Sequence, residues 1–293
     1  RVRSSAASDV YKRQFIQLQP VEIAKLAVIV LLAAFIYKKN RYSKSIKFTI
    51  YCWIVGMIPA LLTLKVSSDL SSALVIMAIT FGLTFIFNRT KKMHMVVLLT
   101  TVGLIAGYIL HIKSNLPDPA HIDDYSYRIA RIVAWLYPDR YSDAAYQSQT
   151  ALYSIGSGGF WGVGLGRMYV NIPEGQTDFI FVLLTHQLGI FGGICLILCY
   201  VYLLFQILKI ALNACSLYET ILVIGILIHI ATQVVVNMGV CTSLLPNTGL
   251  PLVLMSYGGS SILTSFAELA ICVSVSKKSV VKVSKKIAKE ELG

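Results

Sequence analysis

Seven stretches of the chain hold almost nothing but apolar side chains for as long as a helix needs to cross about 30 Å of hydrocarbon. They run over residues 20–37, 47–64, 70–87, 95–112, 179–207, 220–240 and 259–275. The pattern predicts seven membrane-spanning helices and an all-α polytopic membrane protein. The fifth stretch is longer than one crossing requires, so it is expected to tilt, to project from the membrane, or to bend near Gly189 and the pair Gly192 and Gly193. Composition agrees: 56% of the 293 residues are hydrophobic, 14% are charged, and the mean hydropathy is +0.70, so the bilayer is the main solvent.

The polar connections set the orientation. Lys38, Lys39, Arg41, Lys44 and Lys47 fill one connection, Arg89, Lys91 and Lys92 another, and Lys277, Lys278, Lys282, Lys285, Lys286 and Lys289 the tail. If the spans alternate, all three groups fall on one side, which the bias of basic residues makes cytoplasmic. The segment 279–293 then reads as a basic cytoplasmic tail. The connections 65–69, 113–178 and 239–258 lie outside, the middle one being a large extracytoplasmic loop. That loop carries seven acids against five bases, so the net charge of +12 belongs to the cytoplasmic face. Such a distribution suits anionic membrane lipids and argues against nucleic acid. Residues 1–14 are polar, lack an apolar core and read as a leader or scar outside the fold. An odd number of spans with the tail inside leads us to expect further spans upstream.

Metal and nucleotide signatures are missing from the sequence. The six cysteines form no CxxC pair, the five histidines show no ligand spacing, and there is no GxxxxGK[ST] loop. The run from Gly156 to Gly166 has the glycine density of a dinucleotide loop without its flanking strand and helix. It is expected to bend the backbone or to let a substrate approach closely.

The remaining polar residues gather on the outer face. Glu22 and Lys25 are three apart, on one face of the first span near its outer end. They read either as an internal ion pair or as part of a site. Asp69 opens the third span, where capping alone would explain it. Asp178 stands where the long loop turns into an apolar run, with an N-cap as its alternative reading. Tyr127 to Leu136 place apolar residues and Arg128 and Arg131 at helical spacing, as in a helix lying in the membrane interface. Residues 245–251 and 256–261 are irregular backbone between two spans. Irregular backbone at that depth is tolerated only where protein or water covers it, so this segment should line a cavity. His186, two helical turns from Asp178, either tunes that carboxylate or is a hydrogen-bonded interior histidine. Glu268 in the last span has no assigned role beyond a polar helix contact.

At these residues the chain resembles the SEDS proteins (shape, elongation, division and sporulation), the RodA/FtsW/SpoVE group of bacterial cell-wall polymerases. The matching blocks are Gln19-Pro20-Val21-Glu22-Ile23-Ala24-Lys25, Asp69-Leu70-Ser71-Ser72-Ala73, Tyr127-Arg128-Ile129 with Tyr137-Pro138 and Tyr146-Gln147, and Gly158-Gly159 through Gly166. Thr177-Asp178-Phe179-Ile180-Phe181, Asn237-Met238-Gly239, Leu245-Pro246 with Thr248-Gly249-Leu250-Pro251, and Ser256-Tyr257-Gly258-Gly259-Ser260 complete the set in family order. The likeness covers residues 15–278 and implies a ten-span fold of which about three amino-terminal spans are not represented here.

The resemblance implies a peptidoglycan glycosyltransferase of the bacterial cytoplasmic membrane. It would polymerise lipid II at the outer face and work with a class B penicillin-binding protein. Asp178 matches the family's essential loop aspartate and would be the general base, a role that needs close positioning and partial desolvation. Lys25, Arg128, Arg131 and Arg167 are the outer-face cations available to the departing pyrophosphate, with Glu22 and Asp69 holding them and Ser256 and Tyr257 joining the substrate site. A divalent cation, Mg2+ or Mn2+, could share that role, though no sequence feature compels one.

The chain departs from the family pattern at several points. His186-Gln187-Leu188-Gly189 stands where Glu-Glu-Leu-Gly is usual, Ser68 replaces Pro, Ser71-Ser72 replaces Gly-Thr, and Val253 stands where Pro is expected. These changes point to a divergent paralogue. A lipid II flippase would need polar residues along a path between both faces, and the inner halves of the spans are nearly free of charge. A non-catalytic scaffold for a cell-wall synthase is the other alternative.

Overall fold

The computed structural model describes residues 19–66, 69–167, 172 and 175–291. The leader at 1–14, the family-like residues 15–18, Ser68, and Pro173 with Glu174 lie outside that set. Seven long helices match the seven apolar stretches: α1 (Pro20–Lys38), α2 (Ile46–Val66), α3 (Leu70–Phe87), α4 (Lys91–Ser114), α7 (Ile180–Leu212), α8 (Leu217–Cys241) and α9 (Gly259–Glu291). Two shorter helices, α5 (Tyr127–Leu136) and α6 (Ser142–Gly158), fold within the large loop. The architecture is all-α and polytopic, as the apolar pattern predicts.

The bundle is built around α8, 61% of whose most apolar window is buried, with α1, α3 and α7 packed against it. In lipid no hydrophobic force drives helices together, so close backbone approach at small residues must supply the contact. Three glycines mark such crossings. A Cβ on Gly56 would lie 2.0 Å from Thr80 Oγ1 where α2 meets α3. On Gly82 it would lie 2.8 Å from Ile228 where α3 meets α8, and on Gly225 it would lie 2.6 Å from Ile29 where α8 meets α1. The threonines of α3 hide their hydroxyls within the helix: Thr80 Oγ1 donates to Ile76 O at 2.9 Å and Thr84 Oγ1 to Thr80 O at 2.7 Å. At the other extreme, only 6% of the α4 window is buried.

The bend expected in the fifth stretch is real and has a specific cause. Gly189 sits at φ 71° inside α7, interrupting the helical ladder, and the glycine-rich segment after α6 fills the gap with its own backbone. Val163 N and Gly164 N donate to His186 O and Gln187 O at 3.0 and 3.1 Å. Ile190 N and Phe191 N donate to Gly159 O and Phe160 O at 3.0 and 3.3 Å. The groups released by the break are thereby paired again. A Cβ on Gly162 would lie 2.2 Å from Gln187 O, and one on Gly189 2.1 Å from Phe160 O, so the glycine density serves a backbone-to-backbone seam. Helix α5 has the predicted span, and its apolar side packs Val133 and Ala134 against Ile112, Tyr141 and Ala145 in a small core of its own.

Gly189→Ala should lower stability by roughly 1–3 kcal/mol through strain at positive φ, with the clash at Phe160 O adding to it. Gly156→Ala, which meets open space in a helix, should be neutral or slightly stabilising. Thermal unfolding of the two purified variants in detergent checks the difference.

Candidate functional site

The segment between α8 and α9 is irregular, as its composition predicts, and its polar backbone is held by side chains from four helices. Trp135 of α5 donates to Ser243 O at 2.9 Å, Arg131 Nη1 to Asn247 O at 3.0 Å, and Ser71 Oγ of α3 to Thr248 O at 2.6 Å. From α8, Asn237 donates to Leu250 O at 2.7 Å and Gln233 to Pro251 O at 3.1 Å. Tyr200 of α7 donates to Val253 O, and Leu252 N donates to Ser256 Oγ at 2.7 Å. Ser243 and Leu254, both at positive φ, bracket the segment. Each such residue costs of order 1–3 kcal/mol and persists only where its surroundings hold it.

The same segment carries the Asp178 turn. Ser256 Oγ donates to Thr177 O, Tyr257 N donates to Gln176 O at 2.9 Å, and Asn237 Nδ2 donates to Asp178 O at 2.7 Å. The helix N-cap is Phe179, so the capping alternative for Asp178 does not apply. Its carboxylate is half-buried and borders a cavity of about 350 Å³ shared with Glu22, Asp69, Ser72, Gly249 and Tyr257. A second cavity, about 370 Å³, adjoins it and shares Asp69 and Gly249. Arg128 and Arg131 line this one above an apolar floor of Leu70, Leu74 and Ile132. Asp178 Oδ2 lies 3.3 Å, and the Arg131 guanidinium nitrogens 3.9 and 4.0 Å, from the point where a Cβ on Gly249 would sit. A side chain there would push between acid and cation.

Most of the predicted residues stand either at the cavities or behind them, and Arg167 does neither. Asp69 caps α3, accepting from Ser71 N at 3.0 Å, Ser72 N at 3.1 Å and Ser72 Oγ, and it also borders both cavities. Glu22 is buried at the first cavity and pairs with Lys25 at 2.7 Å. Lys25 itself is completely buried, its ammonium held by Glu22 and by Gln233 Oε1 at 3.4 Å, so it stands behind the wall as an internal ion pair. Ser256 is buried and tied to backbone, whereas Tyr257 is exposed at the cavity rim. Arg167 is exposed beside Gly164 and borders neither cavity. Arg131 stacks on Tyr127 at 4.1 Å and is hydrogen-bonded to its hydroxyl, which fixes the guanidinium plane.

His186 is an interior histidine, with Nδ1 at 2.9 Å from Ser154 O and 3.2 Å from Ser157 Oγ. Glu268 meets His229 Nδ1 at 2.7 Å, both buried. Among the described residues no three His, Cys, Asp or Glu side chains converge to hold a metal ion. The carboxylates of Glu22 and Asp69 already have Lys25, Ser71 and Ser72 as partners. Sequence reasoning passed over Gln233 and gave Asn237 no role beyond its place in a family block, though the signal was available: two amides one helical turn apart in a largely apolar span.

Comparison with known proteins gives a consistent result. The family model for cell cycle proteins of the FtsW/RodA/SpoVE group matches residues 4–280. Stage V sporulation protein E of Bacillus subtilis is 33% identical over 266 residues, covering 89% of this chain and 69% of the relative. A probable peptidoglycan glycosyltransferase FtsW of Tolumonas auensis is 31% identical, covering 89% of this chain and 66% of the relative. The chain thus spans about two thirds of the length of these relatives. Among solved structures, one described as structural coordination of polymerization and crosslinking by a peptidoglycan synthase complex superposes with a TM-score of 0.70. It has 26% identity and covers 91% of this chain and 72% of its own. The Thermus thermophilus rod shape determining protein RodA gives a TM-score of 0.57 at 26% identity, covering 90% of this chain and 67% of its own.

Asp69→Ala should destabilise the protein by about 0.5–2 kcal/mol through loss of the cap, and Asp69→Asn, which keeps an acceptor for the same amides, by less than half of that. Thermal unfolding of both variants in detergent measures the gap.

Proposed function

The chain belongs to the FtsW/RodA/SpoVE family of cell cycle proteins, multi-pass proteins of the cytoplasmic membrane, and from that premise we propose that it is a peptidoglycan glycosyltransferase polymerising lipid II at the outer face of that membrane. One observation carries the assignment of roles. Asp178 and Arg131 converge on Gly249 at the wall between two cavities, one bordered by acids and the other by arginines over an apolar floor. A polar carbohydrate acceptor suits the first. An isoprenoid-linked pyrophosphate suits the second, since it brings negative charge to the arginines and hydrocarbon to the leucines.

In this reading Asp178 removes the proton from the 4-hydroxyl of the acceptor GlcNAc as that oxygen attacks the anomeric carbon of the donor MurNAc. The bond from that carbon to the pyrophosphate oxygen breaks, and undecaprenyl pyrophosphate departs beside Arg128 and Arg131. The proton on Asp178 is then released to water. Positioned cations at the leaving group lower the barrier because the charge they meet grows as the bond breaks. Lys25 contributes by holding Gln233 and Glu22 rather than by touching the pyrophosphate. A class B penicillin-binding protein is the partner this role calls for, since new strands require crosslinking.

The geometry favours this reading over transport. Between Thr220 and His229 α8 carries no polar side chain, and its buried residues there are Ile221, Leu222, Val223, Ile224, Gly225 and Ile226. A flippase would need a polar path through that region.

Asp178→Asn in the full-length protein, assayed with its partner on lipid II, should cut polymerisation by roughly 10²–10⁴-fold, the range for loss of a general base, with an unchanged melting temperature. Glycan synthesis at the wild-type rate would instead leave the scaffold alternative standing.

A further inference from the structure

Four polar side chains recur at every fourth position of α8: His229, Gln233, Asn237 and Cys241. That spacing places them one above another on a single helical face. All four are buried, the least so being His229 at 2% exposure, in a helix whose other buried residues are aliphatic or glycine. Polar groups in such surroundings are costly unless partnered, and each of the four has a partner outside α8, Cys241 Sγ lying 3.7 Å from Asp178 O. His229 meets Glu268 of α9, and Gln233 bridges Lys25 of α1 to Pro251 O. Asn237 donates both amide hydrogens, one to Asp178 O and one to Leu250 O, each at 2.7 Å, while its Oδ1 faces Cys241 Sγ at 3.7 Å.

The amide group of Asn237 therefore joins the two walls whose separation defines the reaction space. Asp178 lies on one wall. Leu250 lies on the other, next to Gly249, whose Cβ point is 3.3 Å from the Asp178 carboxylate. The two N–H directions of a primary amide are fixed in one plane, so neither carbonyl can shift without breaking its bond or dragging the other.

We propose that Asn237 is a positioning residue for Asp178, clamping the 176–179 turn and the Gly249–Pro251 wall into one unit, with Gln233 as the second tie on that wall. The catalytic consequence rests on the polymerase reading; the clamp itself does not. A displacement of about 1 Å at a reacting group is enough to lower turnover by the order of 100-fold.

The test uses the full-length protein in lipid nanodiscs, with amide hydrogen exchange and lipid II polymerisation measured side by side. In Asn237→Ala, peptides covering 176–183 and 248–252 should both exchange at least roughly tenfold faster, with the other spans unaltered. Asn237→Asp keeps the shape but turns acceptors toward two carbonyl oxygens, so it should loosen both segments as much. Gln233→Met, which leaves Asn237 in place, should loosen 248–252 alone. Wild-type protection in both Asn237 variants, or loosening confined to one segment, would overturn the clamp. On lipid II, Asn237→Ala should lower kcat by roughly 10- to 100-fold with KM within twofold; a KM effect at full kcat would refute the positioning role. If even the wild type makes no glycan, the polymerase reading fails, and the exchange data alone decide the clamp.

Discussion

Backbone that leaves the helical ladder inside a membrane has no water to turn to, and that constraint organises this protein. Between α8 and α9 the chain abandons helix for the seventeen residues 242–258, with two non-glycine positions in left-handed conformation. It survives there because Trp135, Arg131, Ser71, Asn237, Gln233 and Tyr200 each supply a donor to one of its carbonyls. Those donors come from α3, α5, α7 and α8, so the segment can take this shape only after the bundle and the loop helix have assembled around it. The cavity beside Asp178 is a product of global packing, although its walls are local.

A second solution to the same constraint appears in α7. There the helix is broken by Gly189 and mended by backbone from 159–164, so one irregular stretch satisfies another. The first solution uses side chains and leaves space for a substrate. The second uses main chain and leaves none, which is why the glycine-rich run ends up as a structural seam while the proline-flanked segment lines the site.

How much of this is legible in the sequence follows from the range of the interactions. The spans and α5 follow from local apolar patterning and sit where it places them, because lipid exposure rewards composition over many residues. Convergence of Glu22, Asp69 and Asp178 on one face follows from counting crossings. Helix α6 is absent from the pattern because its polar Ser142 to Gln149 turn gives little periodic signal. Residue charge alone suggested that Lys25 and Arg167 would join the site. The first is sealed behind Glu22 and the second stays out on its loop, since charge does not encode which way a side chain faces. The contributions of Gln233 and Asn237 depend on partners well separated from them in sequence, such as Lys25 and Asp178, and no local pattern reports such pairings.

The two buried contacts that tie an acid to a basic side chain also differ in how they come to exist. Glu22 and Lys25 are three residues apart on α1, so that helix can neutralise itself as it enters the bilayer, before any neighbour arrives. Glu268 meets its histidine across two helices, and a charged side chain alone near the middle of a span costs about 2.5–3.5 kcal/mol on insertion scales. Because α8 precedes α9 in the chain, His229 can be in place to receive Glu268. The pairing on α1 is thus self-contained, whereas α9 relies on a partner supplied by its neighbour.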